Sequence, residues 1–131
     1  MNDRYLFKAI DTNSVWRTGL LIALKGNRCA IEESDGSKWA CDAKTLCQCT
    51  GLKDKNGKLI WENDIASYSD LITRDKKIIC IEWNKMQASF VRKYRSPMGL
   101  QYLYLDEYIA SRMEVIGNIF DNPELLESEE K

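Results

Sequence analysis

The sequence predicts a mainly β protein of the α+β class, and three observations carry that expectation. Runs of β-prone residues separated by turn residues recur at intervals of about ten residues from residue 4 to residue 95. A helical spacing of apolar residues replaces them only beyond Pro97. The composition suits one compact domain, since 44% of the 131 residues are hydrophobic and 30% are charged.

In chain order, strands are expected over residues 5–10, 15–24, 28–32, 38–41, 46–50, 65–68, 77–83 and 88–94. Each of these runs is rich in β-branched, aromatic or cysteine side chains, which fit a pleated, half-buried surface. The connectors carry turn chemistry: Asp11-Thr12-Asn13-Ser14, Lys25-Gly26-Asn27, Ser34-Asp35-Gly36-Ser37 and Lys55-Asn56-Gly57-Lys58. Asp35-Gly36 and Asn56-Gly57 are the strongest hairpin turns, because those residues accept positive φ at little steric cost. Leu105, Tyr108, Ile109, Met113 and Ile116 recur at helical spacing and predict one helix over 103–112. A closing strand over 114–120 follows, then an Asn122-Pro123 turn, a helical turn over 124–127 and a frayed tail over 128–131.

Composition also limits function. The chain has no histidine, so no imidazole acid/base, no Ser-His-Asp triad, no Cys-His pair and no His-ligated metal can be built. Nineteen basic against twenty acidic residues give a net charge of −1, which argues against coating nucleic acid by bulk electrostatics. The N-terminus lacks the basic and apolar regions of a secretory signal, and the apolar run 19–24 is far shorter than a membrane span, so a cytoplasmic protein without membrane contact is expected. Cys29, Cys41, Cys47, Cys49 and Cys80 form an odd set without the spacing of zinc knuckles or a secreted disulfide scaffold; buried free thiols are expected, and no metal or cofactor. Trp16, Trp39, Trp61 and Trp83 are nearly evenly spaced, but their neighbours share little, so they read as core or core-edge aromatics rather than a repeat.

Two longer motifs stand out. Residues 45–65 read TLCQCTGLKDKNGKLIWENDI and residues 114–126 read EVIGNIFDNPELL. They resemble the two signatures of the YopX-like family of phage and prophage proteins, and Val15-Trp16-Arg17-Thr18-Gly19-Leu20-Leu21 resembles that family's Trp-x-x-Gly-x-Leu strand. Two departures are visible: Asn63 stands where the family pattern has Gly, and Cys49 where it has an aromatic. Asn tolerates a left-handed conformation better than other non-Gly residues, so the turn at 63 is expected to survive. The resemblance implies a single domain over 1–127, with an N-terminal β subregion over about 1–50 and a barrel-like subregion with a helix over about 51–127. The entry to residues 61–90 also looks like that of a small SH3-like barrel, closed by residues 114–120, with extra N-terminal strands and one C-terminal helix.

The motif residues Thr50, Gly51, Leu52, Asp54, Asn56, Gly57, Ile60, Trp61, Glu62, Asp64, Ile65, Gly117, Asn118, Asn122 and Pro123 read as structural: glycines and Asn for turns, Leu and Ile as anchors, Asp for capping amides. Asp54, Glu62, Asp64 and Asp70 could in principle form a carboxylate site, but turns collect acids, and no catalytic residue is assigned. Charge is the sharper signal. Residues 71–95 carry a net charge of +5 and residues 96–131 one of −6. A candidate binding surface therefore comprises Arg74, Lys76, Lys77, Trp83, Lys85, Arg92, Lys93, Tyr94 and Arg95, cations interleaved with aromatics. The expected function is a non-enzymatic, self-associating binding module, which the family resemblance places among phage or prophage accessory proteins of a bacterial host cytoplasm. Two alternatives stand beside it: nucleic-acid binding through the hairpin 74–95, and a counter-defence role that engages a host enzyme or a small signalling molecule.

Overall fold

A computed structural model describes residues 3–70, 72–96 and 98–127, with the side chains of Arg95, Ser96 and Glu127 outside that description. The tail expected to fray, 128–131, lies outside the described residues. The chain divides into two compact units, Met1–Gly51 and Leu52–Lys131.

The first unit is an antiparallel sheet. Its strands are β1 (Phe7–Ile10), β2 (Trp16–Lys25), β3 (Arg28–Glu32), β4 (Lys38–Asp42) and the start of β5 (Cys47–Lys53), in the spatial order β4-β3-β2-β1-β5. Cross-strand partners Cys29↔Cys41 and Ile31↔Trp39 share one face, where Ala9, Cys29, Ile31 and Cys41 are buried with Phe7, Leu21 and Leu46 packed against them. All five cysteines are free and buried. Burial, reinforced by the neighbouring Cys29 and Asp11, pushes the Cys41 thiol up to about 11, so it is protonated at neutral pH. Asp11 organises the first turn. Its carboxylate accepts the Asn13 and Val15 amides at 2.8 and 3.0 Å and meets Arg17 Nε at 2.8 Å. The Arg17 guanidinium in turn lies 3.4 Å from the centre of the Trp39 ring.

The second unit contains β6 (Leu59–Trp61), β7 (Asp64–Ser69), β8 (Lys76–Asn84), β9 (Ser89–Ser96), β10 (Gly99–Tyr104), α1 (Glu107–Ala110), β11 (Met113–Asn118) and α2 (Glu124–Glu127). Its main sheet runs β10-β9-β8-β7-β11, every neighbouring pair antiparallel. A meander whose last strand returns beside the first is the strand order of the small barrel expected from the sequence. The described ladder leaves β10 and β11 at its two ends, so the sheet is open rather than closed. The mainly β, α+β class holds.

Register shows which face is the core. Ala66↔Ile79, Tyr68↔Met113 and Trp83↔Phe90 are direct partners, and their face holds the buried cluster Ile60, Ala66, Tyr68, Ile79, Ile81, Phe90, Ala110 and Met113. The helix expected over 103–112 shrinks to the four residues of α1, because Leu103 and Tyr104 belong to β10. The helical spacing arose from residues that serve different elements. Leu105 and Ile109 pack onto the core from the connection and from α1, whereas Met113 enters it from β11. Asp106 caps α1 by accepting the Ile109 amide at 2.8 Å.

Candidate functional site

The two sequence motifs meet each other within the second unit. Asp54, buried at the turn between β5 and β6, accepts the Asn56 and Lys58 amides on Oδ1, each at 2.9 Å, and the Val115 amide of β11 on Oδ2 at 3.0 Å. Burial alone would raise the Asp54 pKa, but these backbone hydrogen bonds outweigh it and hold the carboxyl below its usual range. The Lys55 amide adds a bond to the Met113 carbonyl at 2.9 Å, and Asn56 Nδ2 reaches Glu114 at 3.4 Å. Gly57 stands at φ +80°, which makes Asn56-Gly57 a true turn.

The β6–β7 turn is built the same way. Asp64, buried, accepts the Trp61 amide at 2.8 Å, and Glu62 lies half-buried between the strands. Asn63 sits at φ +71°, so it does fill the glycine position in left-handed form. Its amide donates to the Ile81 carbonyl at 2.7 Å, and its carbonyl accepts the Ile119 amide at 3.1 Å. Asn118 Oδ1 accepts the Phe120 and Asp121 amides, and Asn122 Oδ1 accepts the Asn118 amide at 3.3 Å. A Cβ at Gly117 would overlap the Asn122 side chain, which explains the glycine on steric grounds. Pro123 leads into α2, with its carbonyl accepting the Leu126 amide. Ile60 and Ile65 are fully buried, Trp61 nearly so, and Leu52 packs on the core cluster. Thr50 is buried in β5, and Gly51 adopts φ +81°. These residues therefore position backbone; the carboxylates of Asp54, Asp64 and Asp70 all accept backbone amides.

The structure divides the nine candidate binding residues. Lys93 pairs with Glu82 at 2.9 Å, which raises the lysine pKa. Trp83, 41% exposed, packs edge-on to Phe90 with ring centres 5.1 Å apart, so it is a core-edge residue. Lys76 and Lys85 are exposed; Arg74 is exposed too and stands at φ +65° in the β7–β8 turn. The Arg95 side chain lies outside the described residues.

Lys77, Arg92 and Tyr94 come together. With Tyr68, Asp70, Ile72, Ile79 and Leu103 they line a cleft of about 210 Å³. Register puts Tyr68, Lys77, Ile79, Tyr94, Arg92 and Leu103 on the face of the sheet that carries the buried cluster of Ala66, Ile79, Ile81 and Met113; the opposite face is covered at its centre too, where Ile65, Cys80 and Val91 are buried. Lys77 Nζ lies 4.4 Å from the Tyr94 ring centre and the Arg92 guanidinium 5.2 Å from that of Tyr68. Arg92 Nε donates to the Tyr104 carbonyl at 2.6 Å. Asp70 caps the β7–β8 turn by accepting the Ile72 and Thr73 amides, bonds that hold its pKa below the usual range with help from Lys77. Among the described residues neither Lys77 nor Arg92 forms an ion pair. Sequence reading missed Tyr68 and Leu103, which only the pairings Tyr68↔Lys77 and Leu103↔Arg92 bring to the cleft.

The second surface is β10 itself, at an end of the sheet. The described backbone partners of residues 100–104 all lie on β9. Leu100, Tyr102 and Tyr104, alternate residues on one side, are 44%, 45% and 70% exposed. Residues 99–105 read GLQYLYL, without a charge.

Comparison with known proteins agrees with this architecture. Protein EF1440 from Enterococcus faecalis, a crystal structure, is 22% identical and superimposes with a TM-score of 0.50, over 92% of this chain and 96% of that one; the likeness concerns the fold. No match to a curated protein was found. The family described as YopX protein matches residues 8–127, a span that contains both interlocked motifs. On that match, the chain belongs to the YopX family.

Proposed function

We propose that the protein is a non-enzymatic binding module that self-associates by pairing β10 of one copy with β10 of a second. The observation that carries this reading is the open, uncharged edge with three exposed apolar side chains on one side. Soluble proteins usually blunt such an edge with charge, proline or a bulge, because its free amides and carbonyls template another strand. An identical strand is a natural occupant: antiparallel pairing of β10 with itself satisfies a twofold axis, and such an interface closes. The opposite net charges of residues 71–95 and 96–131 favour contact between copies as well. Membership of the family supports an accessory role in phage or prophage biology within the bacterial cytoplasm.

Light scattering coupled to size-exclusion chromatography tests the reading at low and high salt. A dimer or larger species is expected at both, because strand pairing and apolar burial do not depend on screening. Tyr102→Glu is expected to give a monomer. The new carboxylate faces Lys93 across the β9–β10 pair, so within the fold it stands beside a cation, one that Glu82 already engages, while two copies would bring like charges together. A wild-type monomer at both salt concentrations, or an oligomer indifferent to Tyr102→Glu, would overturn the assignment of β10.

A further inference from the structure

We infer that the cleft between Tyr68, Lys77, Arg92 and Tyr94 is a binding site for a nucleoside phosphate, taken either free or as one unit of a single-stranded nucleic acid. This rests on different residues from the β10 edge and does not depend on self-association.

The starting point is an anomaly of side. On the second sheet, the face that carries Ala66, Ile79, Ile81 and Met113 is the core, and Lys77 and Arg92 project from that same face. Turning a cation toward an apolar face is unfavourable unless a counter-charge compensates it. Lys93, on the opposite face, has such a partner in Glu82. Among the described residues, Lys77 and Arg92 have ring faces, the Tyr104 carbonyl and the field of Asp70 as their partners, with no ion pair. With one acid against two bases, the cleft carries a net charge of +1, complementary to a phosphate ester.

The pockets of the first unit show the contrast. One, of about 440 Å³, has Glu32 and Glu33 on its wall, already paired with Lys38 and Arg17. The Asp11 carboxylate in another is occupied by Arg17. Glu32, Glu33 and Asp11 are thus paired within the fold, whereas among the described residues neither cation of the Lys77–Arg92 cleft has an ion-pair partner.

Shape narrows the ligand. A volume of about 210 Å³ is below the roughly 300–1,000 Å³ of pockets that enclose a drug-sized molecule. It suits one phosphate with part of its apolar or planar body. Leu103 and Ile79 supply the apolar wall, Tyr94 an aromatic one, and exposed Ile72 extends it toward solvent. Exposed Arg74 stands in the β7–β8 turn that also brings Asp70 and Ile72 to the cleft, and offers a further cation to a phosphodiester chain; Lys76, which alternates with Lys77 on β8, projects from the opposite face. Cations combined with aromatic rings along a groove form the usual chemistry of single-strand binding.

The test uses fluorescence anisotropy of a labelled oligothymidylate and calorimetric titration of adenosine monophosphate, both at low salt on the full chain. Binding of both probes identifies a free nucleotide unit as sufficient; binding of the oligonucleotide alone identifies the polymer as the source. In either case Lys77→Gln and Arg92→Gln are expected to weaken binding roughly tenfold each, the effect of losing one charge-assisted contact. Lys85→Gln, the same charge change at the far end of the hairpin, should alter it less than about twofold. If Arg92→Gln fails to fold for want of its bond to Tyr104, Lys77→Gln carries the test, since its described contact is to a ring. Equal effects of Lys77→Gln and Lys85→Gln, tighter binding of an acidic peptide through the same residues, or no binding of either probe would overturn the proposal.

Discussion

The second sheet has two ends, and they are finished in opposite ways. Beside β11 the chain brings the Asp54 turn, whose carboxylate and neighbouring amide meet Val115 and Met113. Beside β10 the described residues bring nothing, although its side chains are the more apolar. The family motifs thus close one edge from within the chain and leave the other open. A protein that can cap an edge with its own turn, yet keeps three uncharged, exposed residues at the other, has an edge suited to a partner.

Replacing Asp54 breaks the closed side, and this is the largest effect expected. Asp54→Ala removes the acceptor of three backbone amides at once and should destabilise the fold by about 3 kcal/mol, read as a lower urea midpoint. The same carboxylate makes stability depend on acid. Its folded pKa lies below the unfolded value, so its contribution is complete above about pH 4 and is lost as pH falls through the folded pKa. Asp54→Asn should flatten the acid limb of the stability–pH profile below about pH 4. An unchanged limb would mean that Asp11 and Asp70, also held below the usual range, dominate acid unfolding.

Gly117 tests the same edge through packing. Gly117→Ala places a methyl group against the Asn122 side chain, which must move and weaken its bond to the Asn118 amide. About 1–3 kcal/mol is expected for overpacking of this kind. Asn122→Gly removes every side-chain atom that the new methyl group would meet, Cβ included, so the double variant should lose less stability than the two single losses added together. Additive losses would show that the glycine is required for a reason other than Asn122.

How much of this was legible beforehand differs between the two edges. The closed edge was written in short-range signals. Asp35-Gly36 and Asn56-Gly57 read as turns and have glycines at φ +88° and +80°, and Asn63 read as a glycine substitute and stands at φ +71°. What Asp54 reaches sixty-one residues later could not be read, because local capping and a long-range bond use the same residue type. The open edge was not legible: residues 99–102 carry no element in the sequence reading, and Leu103 and Tyr104, β-prone as they are, fell into the expected helix because the apolar spacing continues into α1 and β11. The cleft was half visible. Lys77, Arg92 and Tyr94 belong to the basic hairpin, but only the pairing of β8 with β7 and of β9 with β10 shows that the two cations share the core-facing side. Register is set by tertiary packing, and one residue of slip would have turned every one of them to the opposite face.

The smallest expected effect completes the comparison. Tyr102→Glu alters an exposed residue whose backbone partners lie on β9, leaves no buried group unsatisfied and faces Lys93. Its folding stability, measured by urea denaturation at a concentration where both proteins are monomeric, should stay within about 0.5 kcal/mol of wild type. A change in Asp54 and a change in Tyr102 then separate by several-fold in stability, while only the second alters association. A loss at Tyr102 as large as that at Asp54 would mean that β10 is held by the fold in the way β11 is. The openness of that edge would then be a matter of exposed side chains alone, with no strand waiting to be joined.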